Sequence, residues 1–239
     1  MTEPYTLPNR INLSQKGKYC ILKSNIVRAL KTNVLAAICL QVIALFIGIS
    51  FFYWPQSQPV FLFFSQLKTQ YGLTYAVVAT AIFGGFIPYC YLLMSGKLGP
   101  NPVKQGVFYC VLWGMMGALI DTFYGLQNSL FGSEAQVMII IKKTAFDQFV
   151  FSAFLTCPLL TALYMWKDNG FSGSITWQQF TPAILFLKIA TTVVTNWLIW
   201  IPSVALIYMM PSALQLPLFN LVLCFFVLVL ATVQHDDPT

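Results

Sequence analysis

From Val34 onward the chain is a succession of long apolar runs almost free of charge, and that pattern limits what it can fold into. An apolar run of about twenty residues, wound as a helix, matches the ~30 Å hydrocarbon core of a bilayer. Only 8% of the residues are charged, against about 25% in soluble domains. An ordinary water-soluble enzyme is thereby excluded. The 239 residues have room for several spans, and the reading is an all-α, polytopic integral membrane helix bundle. It has about six apolar helices, four to six of them spanning.

The segments expected to be helical are 34–54, 75–95, 107–130, 144–166, 181–210 and 216–234. Pro55 ends the first, and residues 55–73 read as a connector, with 59–64 apolar enough to lie at the interface. Ser133 and Gln136 have the spacing of a capping box. They predict a helix whose first turns, with Lys142 and Lys143, stand clear of the membrane. Pro158 predicts a kink in the fourth segment. Thr181-Pro182 reads as the capped start of the fifth. The domain organisation is a basic polar arm (1–33), one transmembrane helical domain (34–234) and a short acidic tail (235–239).

Net charge is +6, which raises nucleic acid as a partner, but the location of the charge points elsewhere. Arg10, Lys16, Lys18, Lys23, Arg28 and Lys31 stand against Glu3 in the arm. A basic arm before an apolar segment sets membrane orientation and attracts anionic lipid headgroups. Its low acid content also resembles a mitochondrial targeting segment, though arginines are few and no amphipathic period shows. With six spans, nine Lys and Arg fall on one side (the arm, 96–106 and 167–180) and three on the other (Lys68, Lys142, Lys143). Both termini are therefore expected on the positive side.

The partner implied is the lipid bilayer, with other membrane subunits as a further possibility. The six cysteines form no CxxC pair, and five lie in apolar stretches. They read as buried thiols rather than a disulfide framework or zinc site. His235 is the single histidine, which removes most histidine-based catalysis and metal binding. No Gly-rich phosphate loop, GxSxG or HExxH occurs. An Asp121–Asp147 dyad lacks the flanking motifs of intramembrane proteases. The sequence therefore indicates no enzyme, no metal and no cofactor.

What remains is a set of polar groups within apolar segments. One face of the third segment reads Gly114, Gly117, Asp121, Tyr124 and Asn128, at helical offsets of three and four. Asp121 lies near the middle of that segment and must be protonated, paired or wet. An uncompensated charge there costs at least about 2.5–3.5 kcal/mol. In the fifth segment Lys188, Thr192, Thr195 and Asn196 share a face. In the fourth, Gln148, Ser152 and Thr156 recur every four residues. Asp121, Tyr124, Gln148, Lys188, Thr192 and Asn196 are the candidate lining of a polar seam. Lys143 and Asp147, four apart, read as an ion pair bracing its mouth. Such a seam either conducts or merely bonds helices together.

From Gly114 onward the chain resembles the Mpv-seventeen and 22-kDa peroxisomal membrane protein family. Lys143-Thr144-Ala145-Phe146-Asp147-Gln148 is an intact Lys-x-x-x-Asp-Gln motif. Upstream, Gly117-Ala118, Asp121 and Phe123-Tyr124 stand where the family has Gly-Pro, a polar residue and Trp-Tyr. Trp177, Trp200, Pro202, Tyr208 and Pro211 resemble, in degenerate form, its later pattern of a tryptophan, Trp-Pro, Asn-Phe and Val-Pro. Ala153 replaces a family proline, Gln215 replaces an arginine, and the family's Asn-Phe is missing. The family-like part is about 75–234. The resemblance implies a small-solute channel of an organelle membrane, mitochondrial inner first and peroxisomal second. The eroded signature favours, as the alternative, a non-catalytic accessory or scaffold subunit of a larger inner-membrane complex, respiratory or ATP-synthesising.

Overall fold

The computed structural model describes residues 15–179 and 182–233, all helical or in short turns. Residues 1–14 of the basic arm, Thr181 as a helix cap and the tail 235–239 lie outside the described residues. The first helix, α1 (Gln15–Tyr53), joins the rest of the arm to the first apolar run without a break. Residue 33 is thus a change in chemistry and not a structural boundary.

The connector expected over 55–73 is instead helix. A short 3-10 turn, Pro55–Ser57, leads straight into α2 (Gln58–Thr80). Pro55 and Pro59 occupy first-turn positions, where the missing N–H would have had no partner. The hydroxyl of Ser57 and the amide of Gln58 donate to the carbonyls of Ser50 and Phe51 (2.7 and 2.6 Å). These bonds serve the last turn of α1, where the Ser50 carbonyl also accepts from the Trp54 N–H (3.2 Å). At Gly72 the backbone leaves the helix, with φ +50° and ψ −122°, a region open essentially to glycine.

After α2 the chain winds as a π-helix over Ala81–Phe86 and continues as α3 (Ile87–Met94). Next is α4 (Pro102–Phe131). The capping box expected at Ser133 does not form. Residues 133–136 are non-helical, Gln136 bonds Glu134, and α5 (Val137–Phe146) starts without a side-chain cap. A second π-helix, Asp147–Thr156, leads into α6 (Cys157–Asp168). The chain ends with α7 (Gly173–Gln179), α8 (Pro182–Tyr208) and α9 (Ser212–Val233).

Both π-helices end just before a proline, Pro88 and Pro158. Proline lacks an N–H and its ring crowds the carbonyl four residues back. Widening the winding relieves that crowding and re-pairs the backbone inside the membrane. Ile87 N–H reaches Ile82 O, and Cys157 N–H reaches Ser152 O, each five residues back. The disturbance expected from Pro158 thus spreads upstream through the segment that carries Asp147, Gln148 and Ser152.

Among the described residues, four helical stretches are long and apolar enough to cross a membrane: Pro55–Met94, Pro102–Phe131, Val137–Asp168 and Leu185–Tyr208. Ala37–Tyr53 and Ser212–Leu228 are shorter apolar helices. Among the described residues, α1 packs on α8 and α9, α2 on α4 and α9, and α5 and α6 on α8. Glycines set the approach of α2 and the first π-helix to α4. A Cβ on Gly117 would meet the Ala76 carbonyl and the Thr80 side chain, and one on Gly85 would lie 2.7 Å from the Tyr109 carbonyl. Small residues let membrane helices come this close.

Candidate functional site: a buried polar centre on three helices

Three stretches of chain are joined through the Asp147 carboxylate and the Tyr208 hydroxyl. Asp147 Oδ2 accepts from the Tyr208 hydroxyl (2.6 Å) at the end of α8, and Oδ1 accepts from Gln148 Nε2 (2.7 Å). Tyr208 in turn accepts from Gln127 Nε2 of α4 (2.7 Å). From Gln148 the network continues across α8. Asn196 Nδ2 donates to Gln148 Oε1 (3.2 Å) and to Ser152 Oγ (2.8 Å), and Trp197 Nε1 donates to the Gln148 carbonyl (2.9 Å). Asp147, Gln148, Ser152, Gln127 and Tyr208 are all buried. The π winding helps here, because it turns the adjacent Asp147 and Gln148 inward together.

Lys143 is 1% exposed and belongs to the same centre. Its ammonium donates to Asn128 Oδ1 and lies 5.7 Å from the centroid of the Tyr208 ring. The ion pair expected between Lys143 and Asp147 is not formed. The lysine turns toward α4 and the carboxylate toward α8, so each finds its partner on a different neighbouring helix. Lysine on the N-terminal side of an acid is also the weaker order for a pair along a helix. Tyr208 stands between the two charges, its ring toward the cation and its hydroxyl on the anion. Gln127 Oε1 and Thr144 Oγ1 are buried there without a partner.

The remaining sequence candidates separate. Asp121 does not enter the centre. Its carboxylate pairs with Lys68 Nζ of α2 at 3.0 Å, and Lys68 also donates to the Gly72 carbonyl at the helix break (3.3 Å). Lys68 is the single charged residue in Pro55–Met94. A lone charge in an apolar helix demands a partner, and that signal was available in the sequence. Tyr124 is buried with its ring edge-on to Tyr208 at 5.3 Å. Asn196 and Gln148 are brought together as a hydrogen-bonded pair. Lys188 and Thr192, expected on the Asn196 face, are exposed on the outside of α8. The single seam of the sequence reading is therefore divided into a buried centre, a Lys68–Asp121 pair and an outward-facing lysine.

Gln127 and Tyr208 are the functional candidates that sequence reasoning passed over. Gln127 sits one place off the Asp121–Asn128 stripe. Tyr208 carried only a degenerate family match, and nothing local pairs it with a residue sixty-one positions away. Comparison with protein-family models, with curated proteins and with solved structures finds no match to this chain.

Proposed function

We propose that this integral membrane protein is a small-solute channel of the Mpv-seventeen and 22-kDa peroxisomal type, held closed at the Asp147–Tyr208 centre. The observation that carries the reading is the burial of Lys143 and Asp147 in one centre without a direct pair between them. Ionisable groups inside a membrane bundle are expensive and by default mark a solute or proton path. A purely structural need is better met by apolar packing. The motif behind the resemblance, Lys143-x-x-x-Asp147-Gln148, supplies both charges and the amide that links the carboxylate to Asn196. Residence in the mitochondrial inner membrane, or in the peroxisomal membrane, rests on that resemblance alone.

Side chains fill the centre, so conduction requires Tyr208 and Gln148 to part from Asp147. The test is efflux of small polar solutes from liposomes holding the purified protein. Release above protein-free vesicles, altered by Asp147→Asn in a folded variant, is the expected result. No release from wild type, or release unchanged in the variant, removes the proposal.

One observation favours a second reading, that of an accessory subunit. Lys188 is a charge on the outer surface of an apolar helix, where a neighbouring membrane subunit would supply its partner. Native mass in a mild detergent extract separates the two. A small homogeneous species supports the channel, and stoichiometric migration with a large complex supports the subunit.

A further inference from the structure

At the opposite end of α4 from the Asp147 centre, lysines rest on aromatic rings. Lys104, in the first turn of α4, lies 4.4 Å from the centroid of Phe171. Lys167, in the last turn of α6, lies 5.4 and 5.5 Å from the rings of Tyr109 and Tyr164 and donates to the Tyr109 hydroxyl (3.2 Å). Phe108 joins the two sites, with its ring 5.5 Å from Phe171 and 6.0 Å from Tyr164. Trp166 closes the cluster 5.1 Å from Phe171. Tyrosine and tryptophan beside lysine mark the headgroup level of a membrane.

Two further features shape this rim. Phe171 has φ +63°, a left-handed backbone that bulky side chains rarely adopt. The turn holds that conformation while its ring lies under Lys104. In addition, α4 begins at Asn101 with no side-chain cap, so its first free N–H groups and positive helix end add to the two ammonium groups. Below this cationic corner an apolar stripe runs down α4 every fourth residue. Val103, Val107, Val111 and Met115 are 75, 59, 54 and 56% exposed.

We propose that this corner binds the phosphate of an anionic phospholipid between Lys104 and Lys167, with an acyl chain lying along the Val103–Met115 stripe. The stripe argues for lipid over a free anion. Lys104, Lys167 and Asp168 together leave one positive charge at the corner, which argues for an anionic headgroup over a zwitterionic one, whose own cation would face Lys104. Asp168 lies 3.0 Å from Lys167, and its side chain is 67% exposed against 17% for the lysine.

The test is native mass spectrometry of the full chain in mild detergent, with phosphatidylglycerol and phosphatidylcholine of identical acyl chains. Wild type should retain phosphatidylglycerol preferentially. Lys104→Gln, a change at an exposed side chain that leaves folding intact, should weaken that retention about fivefold. Lys104→Gln with Lys167→Gln should abolish the preference, and Lys104→Arg with Lys167→Arg should keep it. Equal retention of both lipids by wild type overturns the proposal. So does an undiminished preference in Lys104→Gln and the double glutamine variant. If millimolar inorganic phosphate displaces the lipid from wild type, the corner recognises phosphate alone and the lipid proposal also fails.

Discussion

The Tyr208 hydroxyl sits 2.6 Å from Asp147 Oδ2 and joins the last turn of α8 to the start of the second π-helix. The same hydroxyl accepts from Gln127 of α4. One phenol oxygen therefore holds three helices, and the only charge it serves is the buried carboxylate.

Tyr208→Phe removes that oxygen and keeps the ring against Tyr124. It leaves Gln127 Nε2 without its acceptor and Asp147 with one donor fewer. Loss of a buried partner costs about 1–3 kcal/mol, so the melting temperature of the detergent-solubilised protein should fall. An unchanged transition would show that the centre does not hold the bundle.

Lys143 and Asn128 should respond unequally. Asn128→Leu strands a buried ammonium and should destabilise by about 1–3 kcal/mol or more. Lys143→Met replaces the lysine by an apolar chain of similar length and should cost little. The double variant should recover most of the loss of Asn128→Leu. A double-mutant cycle on thermal unfolding reads this directly, and equal losses in both single variants would contradict it.

Two glycines of α4 should give opposite signs. A Cβ on Gly117 meets the Ala76 carbonyl and Thr80, whereas one on Gly125 meets nothing within 4 Å. Gly117→Ala should destabilise by about 1–3 kcal/mol by forcing α2 and α4 apart. Gly125→Ala should stabilise by about 0.5–1 kcal/mol, through the lower conformational entropy of alanine. The same detergent melts check both.

Lys68 and Lys188 should differ just as clearly. Lys68→Met leaves Asp121 unpaired at the packed face of α4 and should cost about 1.5–3 kcal/mol. Asp121→Asn together with Lys68→Met should restore part of it. Lys188→Gln, on the outer face of α8, should stay within about 0.5 kcal/mol. A larger effect from Lys188 in the isolated protein would place it in a contact that the monomer lacks.

Scarcity of charge and the length of the apolar runs determined, from sequence alone, that this chain is a helical membrane bundle. They do so because an unpaired backbone in lipid leaves few alternatives to a helix. The spacing of Gly114, Gly117 and Asp121 likewise placed small residues on one face of α4, since offsets of three and four are local geometry. The helix over 58–71 was not legible in this way. Pro55 reads there as a stop followed by a connector, and the structure instead joins the two helices by a 3-10 turn whose Ser57 and Gln58 side chains donate back to the end of α1. Nor were the pairings. Lys143 and Asp147 are close in sequence, yet the packing of α4 and α8 gave each a better partner than the other. Lys68 found Asp121, and Tyr208 found Asp147, across long sequence separations. Such contacts depend on which helices meet and at what rotation, and the π windings before Pro88 and Pro158 reset that rotation. Periodicity specifies the faces of a helix, and the tertiary fold decides what each face meets.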